Sequence, residues 1–301
     1  MTELRFIPLY KVRTFNEKLN DTFEFIRQNW RLLLKYLTYM VLPVALVGGL
    51  CQDAFMKNSF DAIGSNDLDA AFTFLAKVGG YFACYMLAAL LATLICYSVM
   101  RLYQQRKGDM QDIGWPEMRH EMWVNFKRMF IANLAITFMM MLALGVMVLL
   151  GAATMWFLLV TLPAFVAFVL TLTYVVPIYV FEERTLTESI ADSIRIASKT
   201  MGGIIGVAIV MGILTSILST FIAIPYYIII MVRAAMLSSA ESAASNPLVE
   251  ILGFVFSVFS IMGSLAASMT MIFAMNFQYG HALDKEYGYS VEDDIKEFEE
   301  L

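Results

Sequence analysis

The chain has 301 residues, of which 59% are hydrophobic and 16% are charged, and its formal net charge is −5. Soluble domains are about 45–50% apolar and about 25% charged. The composition therefore excludes a disordered chain, a nucleic-acid binder driven by charge and an ordinary cytosolic enzyme. The mean hydropathy of +0.68 predicts an all-α polytopic membrane protein instead.

Six apolar stretches are long enough to cross the hydrocarbon core of a bilayer, which takes about 20 helical residues. They cover residues 33–51, 78–100, 130–151, 156–181, 203–232 and 250–276. The third and fourth stretches form one uncharged run, so we predict a very short turn near Gly151. Residues 1–283 then form one membrane domain, and residues 284–301 form an acidic cytoplasmic tail.

The basic residues are distributed unevenly around these spans. Of the 21 Lys and Arg residues, all but Lys57, Lys77 and Arg233 lie on the side that holds both termini. Basic residues accumulate in cytoplasmic loops. We therefore predict that both termini are cytoplasmic. The acidic tail is then expected to dock on these basic loops or on a partner.

An amphipathic helix is predicted before each pair of spans, so the chain resembles a threefold repeat of helix plus hairpin. The three helices cover residues 15–31, 116–128 and 186–199. Thr14 with Glu17, and Thr185 with Glu188, match the capping-box pattern. Such helices are typical of the headgroup plane, with the apolar face inward. They would serve as collars of the bundle or as a platform for lipid headgroups or a partner.

Small residues recur along two of the spans. They are Gly80, Cys84, Ala88 and Ala92 in the second span, and Gly202 and Gly206 at the start of the fifth. Small residues let membrane helices approach closely. We interpret these positions as packing seams within one chain, with a dimer face as the alternative.

Polar chemistry is sparse in the predicted spans. No ionisable side chain lies deep in any of them, although ion-coupled transporters and intramembrane proteases usually retain such groups. The candidate interfacial or partner site is therefore assembled from residues at span ends: Glu182, Glu183, Arg184, Asn133 and Asn276. The two carboxylates would bind a cation or a cationic partner, unless Arg184 pairs with either of them. The two amides are expected to make interhelical hydrogen bonds.

The residues predict no catalytic constellation, no cofactor and no metal site. Neither of the two histidines, His120 and His281, has a companion at metal-ligand spacing. The chain also contains no P-loop and no nucleophile-elbow motif.

Three short motifs carry a family resemblance. They are Pro177–Glu183 followed by Ser189-Ile190 and Ser193-Ile194, the opening Phe23–Trp30, and the closing Phe277–Gly280. Together they resemble the membrane domain attached to some bacterial glycerophosphodiester phosphodiesterases, which also has stand-alone relatives. The resemblance implies a six-span bundle in a bacterial plasma membrane. The catalytic barrel of the fused members, about 250 residues, has no counterpart here, so no catalytic residue is carried over.

These observations lead to a ranked set of functions. The leading hypothesis is a non-enzymatic scaffold, accessory subunit or membrane-organising module. Its partners would be membrane lipids and either a protein partner or a second copy, with no nucleic acid. The alternative is a transporter or flippase of a lipid or apolar solute. An intramembrane lipid enzyme ranks third, because it would have to recruit His120 with Glu117 and Glu121 without an activating triad.

Overall fold

The computed structural model describes residues 5–62, 68–110, 113–238 and 246–290. Within these ranges the chain is helical and contains no strand, which confirms the all-α class. The helices are α1 (Phe15–Ala62), α2 (Leu68–Gln105), α3 (Trp115–Ala153), α4 (Leu158–Thr171), α5 (Val175–Phe181), α6 (Leu186–Lys199), α7 (Met201–Ser238) and α8 (Pro247–Tyr287).

Six stretches are long and apolar enough to cross a membrane, as a multi-pass architecture requires. They are Phe15–Phe55, Thr73–Gln105, Trp115–Ala152, Leu158–Phe181, Met201–Met236 and Pro247–Tyr287. Each predicted span falls within one of them, except that the fourth begins two residues later than predicted, at Leu158. The short turn near Gly151 is confirmed: α3 ends at Ala153, Thr154 is extended, and a 3-10 turn covers Met155–Phe157.

The three predicted amphipathic helices do not share one form. The first two continue without a break into the spans, as the beginnings of α1 and α3, and only the third, α6, is a separate helix. Both capping boxes are confirmed. The backbone N–H of Thr14 donates to Glu17 Oε2 at 2.7 Å, and that of Thr185 donates to Glu188 Oε2 at 3.0 Å.

The fourth span is divided into α4 and α5 by a turn at residues 172–174. Pro177 lies in the first turn of α5, where the absence of an N–H group leaves no helical hydrogen bond unmade. The turn directs the end of α5, and with it Glu182, towards the polar residues described below.

The contacts divide the chain into two compact units. Unit 1 comprises Met1–Asn29, Cys96–Met211 and Ile272–Leu301, and unit 2 comprises Trp30–Ile95 and Gly212–Met271. The core of unit 1 is aromatic, since the ring of Phe25 packs against Tyr103, Phe273 and Phe277 at centroid distances of 4.8–5.9 Å. In unit 2, α1 and α8 meet so closely that a Cβ on Gly49 would lie 2.6 Å from Val258 Cγ2.

The buried face of the first helix in unit 1 is not its apolar face. Lys18, Thr22, Phe25 and Asn29 are buried there. Phe15, Phe23 and Trp30, which belong to the apolar face that was predicted to face the bilayer interior, are 39–49% exposed. Polar side chains therefore point into unit 1, and the apolar side chains remain available to lipid.

An extended segment precedes α1 and is fastened to unit 1 by side chains. The N–H of Ile7 donates to the hydroxyl of Tyr103 at 3.1 Å, and the N–H of Leu9 donates to Gln104 Oε1 at 3.0 Å. Gly280 lies directly against this segment, and a Cβ there would overlap the carbonyl oxygen of Leu9.

Candidate functional site

Glu182 is surrounded by phenol groups. It caps the C-terminus of α5, and its Oε1 accepts hydrogen bonds from Tyr10 at 2.6 Å and from Tyr279 at 2.9 Å. Its Oε2 accepts a longer bond, 3.4 Å, from Tyr289. We call these four residues the Glu182 cluster. The cluster ties the N-terminal segment, α5 and the end of α8 together.

The protonation states of the cluster follow from burial and charge. Burial raises the pKa of Tyr10 well above its usual value, and the negative charge of Glu182 raises it further. The same two causes, in the same order, raise the pKa of Tyr289. Both phenols therefore stay protonated and donate to the carboxylate. In the described part of the chain, no Lys or Arg forms an ion pair with Glu182.

Glu183 points away from its neighbour. Its backbone is left-handed, with φ of 54°, which costs a non-glycine residue about 1–2 kcal/mol. Its carboxylate is 62% exposed and accepts a 2.8 Å hydrogen bond from Arg101 Nη2. The two adjacent carboxylates therefore do not share a cation site within the described residues.

Arg184, for which pairing with either adjacent carboxylate was an open alternative, pairs with another residue. Its Nη1 forms an ion pair with Asp192 of α6, and its guanidinium stacks on the ring of Tyr287 at 5.5 Å. The chain leaves the helical path at Glu183, which turns the side chain of Arg184 towards α6 rather than back along α5.

The two predicted amides do not bridge helices either. Asn133 Nδ2 donates to Met129 O of its own helix at 2.8 Å, a local bond that competes with long-range ones. Asn276 is 1% exposed, and its Nδ2 has no hydrogen-bond partner among the described residues. Asn125 does bridge helices, since its Nδ2 donates to Ser98 Oγ of α2 at 3.1 Å.

A second polar chain begins at Lys18, which the sequence analysis did not single out. Lys18 Nζ donates to Gln278 Oε1 at 2.7 Å, and Gln278 Nε2 donates to the hydroxyl of Tyr174 at 3.2 Å. Tyr174 then lies 3.4 Å from Thr200 Oγ1 at the junction of α6 and α7. A sequence pattern could have pointed to Lys18. It has helical spacing with Thr22, Phe25 and Asn29, and these four residues form a face with few apolar side chains.

At the start of α7, the close packing predicted at Gly202 occurs one residue later, at Gly203. Gly202 has nothing within 4 Å of the position that a Cβ would take, whereas a Cβ on Gly203 would lie 2.6 Å from Gln278 Nε2. Gly206 lies near the ring of Phe15, where a Cβ would be 3.4 Å from Cε2. The close approach in unit 1 therefore depends on Gly203 and Gly206.

The seam residues of α2 lie in unit 2 and face α1. A Cβ on Gly80 would lie 3.4 Å from Cys51 Sγ, and a Cβ on Gly48 would lie 3.2 Å from Cys84 Cβ. Ala88 and Ala92 are each 1% exposed.

Unit 2 contains a buried ion pair that the sequence analysis also missed. Arg233 Nη1 is paired with Asp53 Oδ1, and both side chains are 11% exposed. The pair lies over Gly253, where a Cβ would overlap Arg233 Nη2. Two buried polar atoms without a hydrogen-bond partner, Gln52 Oε1 and the hydroxyl of Tyr226, belong to the same unit. Tyr226 is within electrostatic range of both charges.

The beginning of the acidic tail contacts α6. Glu286 accepts a 2.6 Å hydrogen bond from Lys199 Nζ, and the guanidinium of Arg195 lies 5.6 Å from the ring centre of Tyr287. This agrees with the expected docking on a basic loop for residues 284–290. The rest of the predicted tail, residues 291–301, lies outside the described residues.

Over the parts that the structure describes, no group of three or more His, Cys, Asp or Glu side chains is placed to hold a metal ion.

Comparison with known proteins adds no relative. No family model matches the chain, and no curated protein or solved structure matches it. The resemblance to the phosphodiesterase membrane domain therefore stays a prediction.

Proposed function

We propose that the protein is a non-enzymatic scaffold or accessory subunit that organises other components of the membrane. The observation that carries this proposal is the exposure of the hairpin formed by α3 and α4. None of the residues in the most apolar window of α3 is buried, against 44% of the corresponding window of α2. No residue of α4 is buried either.

The hairpin belongs to unit 1, and α3 packs there through a small cluster in which Ala132 contacts Leu172 and Val175. At neighbouring positions of α3, Phe138 and Met141 are 63% and 67% exposed. Methionine adapts its shape to different partners. These properties support the hairpin as the surface that binds a helix of another membrane protein, with lipid as the competing occupant.

The setting of this function follows from the distribution of charge. The concentration of Lys and Arg on the side that holds both termini supports cytoplasmic N- and C-termini. The resemblance supports a bacterial plasma membrane. The partners are then the surrounding lipids and either another protein or a second copy of the chain.

Photo-crosslinking in native membranes tests the proposed surface. A photoreactive residue at Phe138 is expected to form a discrete protein adduct. The matched control is Phe221 of α7, which is 67% exposed and is expected to form lipid adducts alone. Lipid adducts alone at both positions would contradict the proposal. A Phe138 adduct whose mass corresponds to two chains would identify the partner as a second copy.

A transporter or flippase of a lipid or apolar solute is the second candidate, and the buried Asp53–Arg233 pair favours it. Ionisable groups within membrane helices often mark the path of a polar substrate or headgroup. Proteoliposomes with a fluorescent phospholipid test this function. Transbilayer movement that Arg233→Gln abolishes and Gly79→Ala leaves unchanged would support transport, since nothing lies within 4 Å of a Cβ at Gly79. Wild-type vesicles without such movement would exclude flipping of that lipid.

A further inference from the structure

Lys18 carries a buried charge without a carboxylate to balance it. The residue is 5% exposed, and the polar partner of its ammonium group is the neutral amide of Gln278, at 2.7 Å. No ion pair in the described part of the chain includes Lys18. A buried ammonium group is costly unless an opposite charge or several hydrogen bonds compensate it. The position therefore requires an anion or the loss of the proton.

The surroundings of Lys18 are cationic. Arg13 and Lys285 are close enough to repel its charge, and His281 lies in the same neighbourhood. Two carboxylates lie in this region. Asp21 accepts a 2.6 Å hydrogen bond from Arg13 Nε, and Asp284, whose charge acts on His281, accepts bonds of 2.7 and 2.8 Å from Ser290. Neither carboxylate forms an ion pair with Lys18 in the described part of the chain.

Two further donors are available beside Lys18. His281 Nδ1 accepts a 2.9 Å hydrogen bond from the N–H of Arg13, so the neutral ring carries its hydrogen on Nε2. Lys285 is exposed and forms no ion pair within the described residues. Gln278, His281 and Lys285 follow one face of α8, because their spacing of three and four residues is helical.

Gln278 packs against Gly203 at the start of α7, and the preceding Gly202 is exposed. Lysine is a common ligand of phosphate, and Lys18 lies near the exposed Lys285.

We propose that Lys18, His281 and Lys285 form a binding site for a phosphate group, in which the anion balances the buried ammonium of Lys18. The phosphate belongs either to a lipid headgroup or to a free anion. The proposal does not depend on the scaffold function.

Native mass spectrometry of the full-length, delipidated protein in detergent tests the site with two probes, phosphatidylglycerol and inorganic phosphate. Diacylglycerol, which lacks the phosphate group, is the lipid control. We expect one probe to bind at one equivalent and Lys18→Met to weaken that binding at least about tenfold, since a charge-assisted hydrogen bond contributes about 1.5–3 kcal/mol. Lys35→Met, which removes the same charge from an exposed position of α1, is expected to bind like the wild type.

The outcomes separate the two sources of phosphate. Saturable binding of phosphatidylglycerol but not of inorganic phosphate assigns a lipid headgroup, and the reverse assigns a free anion. Equal affinity of the wild type and Lys18→Met for both probes would overturn the proposal, as would wild-type protein that binds neither probe or binds diacylglycerol equally well.

Two further variants cover a folding defect in Lys18→Met. Lys18→Arg keeps the charge and is expected to retain affinity within about threefold. Lys285→Met changes an exposed residue and is expected to weaken binding several-fold without loss of the fold. If Lys18→Met does not fold, unchanged affinity of Lys285→Met overturns the proposal.

Discussion

The hydroxyl of Tyr10 donates a 2.6 Å hydrogen bond to Oε1 of Glu182, although the two residues are 172 positions apart in the chain. Tyr279 donates to the same oxygen and Tyr289 to the other one. Three segments thus converge on a single carboxylate. Glu182, one residue of the predicted partner site, is therefore engaged in contacts within unit 1.

Removal of this carboxylate should destabilise unit 1. Glu182→Ala leaves three phenols without their acceptor, so we expect a loss of about 1.5–3 kcal/mol in the free energy of unfolding. Glu183→Ala is the control, because an exposed ion pair contributes less than about 1 kcal/mol. Unfolding by a denaturing detergent, followed by circular dichroism, measures both losses. Equal losses of unfolding free energy in the two variants would show that the Glu182 cluster does not stabilise unit 1.

Alkaline pH should weaken the same cluster. The pKa of Tyr10 is higher in the folded chain than its usual value of 10.0. Its contribution to stability is therefore complete below pH about 10 and is lost as the pH rises above that value. We expect Tyr10→Phe to be less stable than the wild type at neutral pH and to lose less stability on titration from neutral pH to about pH 11.

Tyr39 provides the control for this titration, because it is 68% exposed in α1. The variant Tyr39→Phe should lose as much stability in alkali as the wild type. Parallel titration curves for the wild type and Tyr10→Phe would argue against the assignment.

Adjacent glycines at the start of α7 should respond in opposite directions to alanine. A Cβ at Gly203 would displace the amide of Gln278 and break its bonds to Lys18 and Tyr174, so we expect a loss of about 1–3 kcal/mol. Gly202→Ala meets open space and should be neutral or stabilising by up to about 1 kcal/mol. Melting temperatures in detergent compare the two, and similar values would refute the packing described here.

The ion pair of unit 2 should be sensitive to the loss of one partner only. Asp53→Asn and Arg233→Gln each remove one partner of this buried ion pair, which costs about 3–5 kcal/mol. The double variant is expected to be more stable than the sum of the two losses implies, because both single variants lose the same interaction. Detergent-induced unfolding of the four proteins in this cycle measures the coupling. Additive losses would mean that the two charges do not interact.

The first helix illustrates why the buried face could not be read from the sequence. Its apolar residues were expected to face the bilayer interior, and Phe23 and Trp30 are exposed while Lys18 and Asn29 are buried in the protein. In water an apolar face must be covered by protein. In a membrane the lipid covers it equally well, so apolarity does not distinguish the protein interior from the surface.

The sequence by itself determined the features that depend only on residues close together along the chain. The six spans, the turn after Ala153 and the capping boxes at Thr14 and Thr185 follow from local composition and helix geometry, and the structure has all of them. Only the tertiary structure decided which distant side chains meet. Arg184 pairs with Asp192 rather than with its neighbours, and Lys18 reaches Gln278 from 260 positions away. A polar group in a membrane protein needs a partner, but many partners satisfy that need, and only the packing of the helices selects among them.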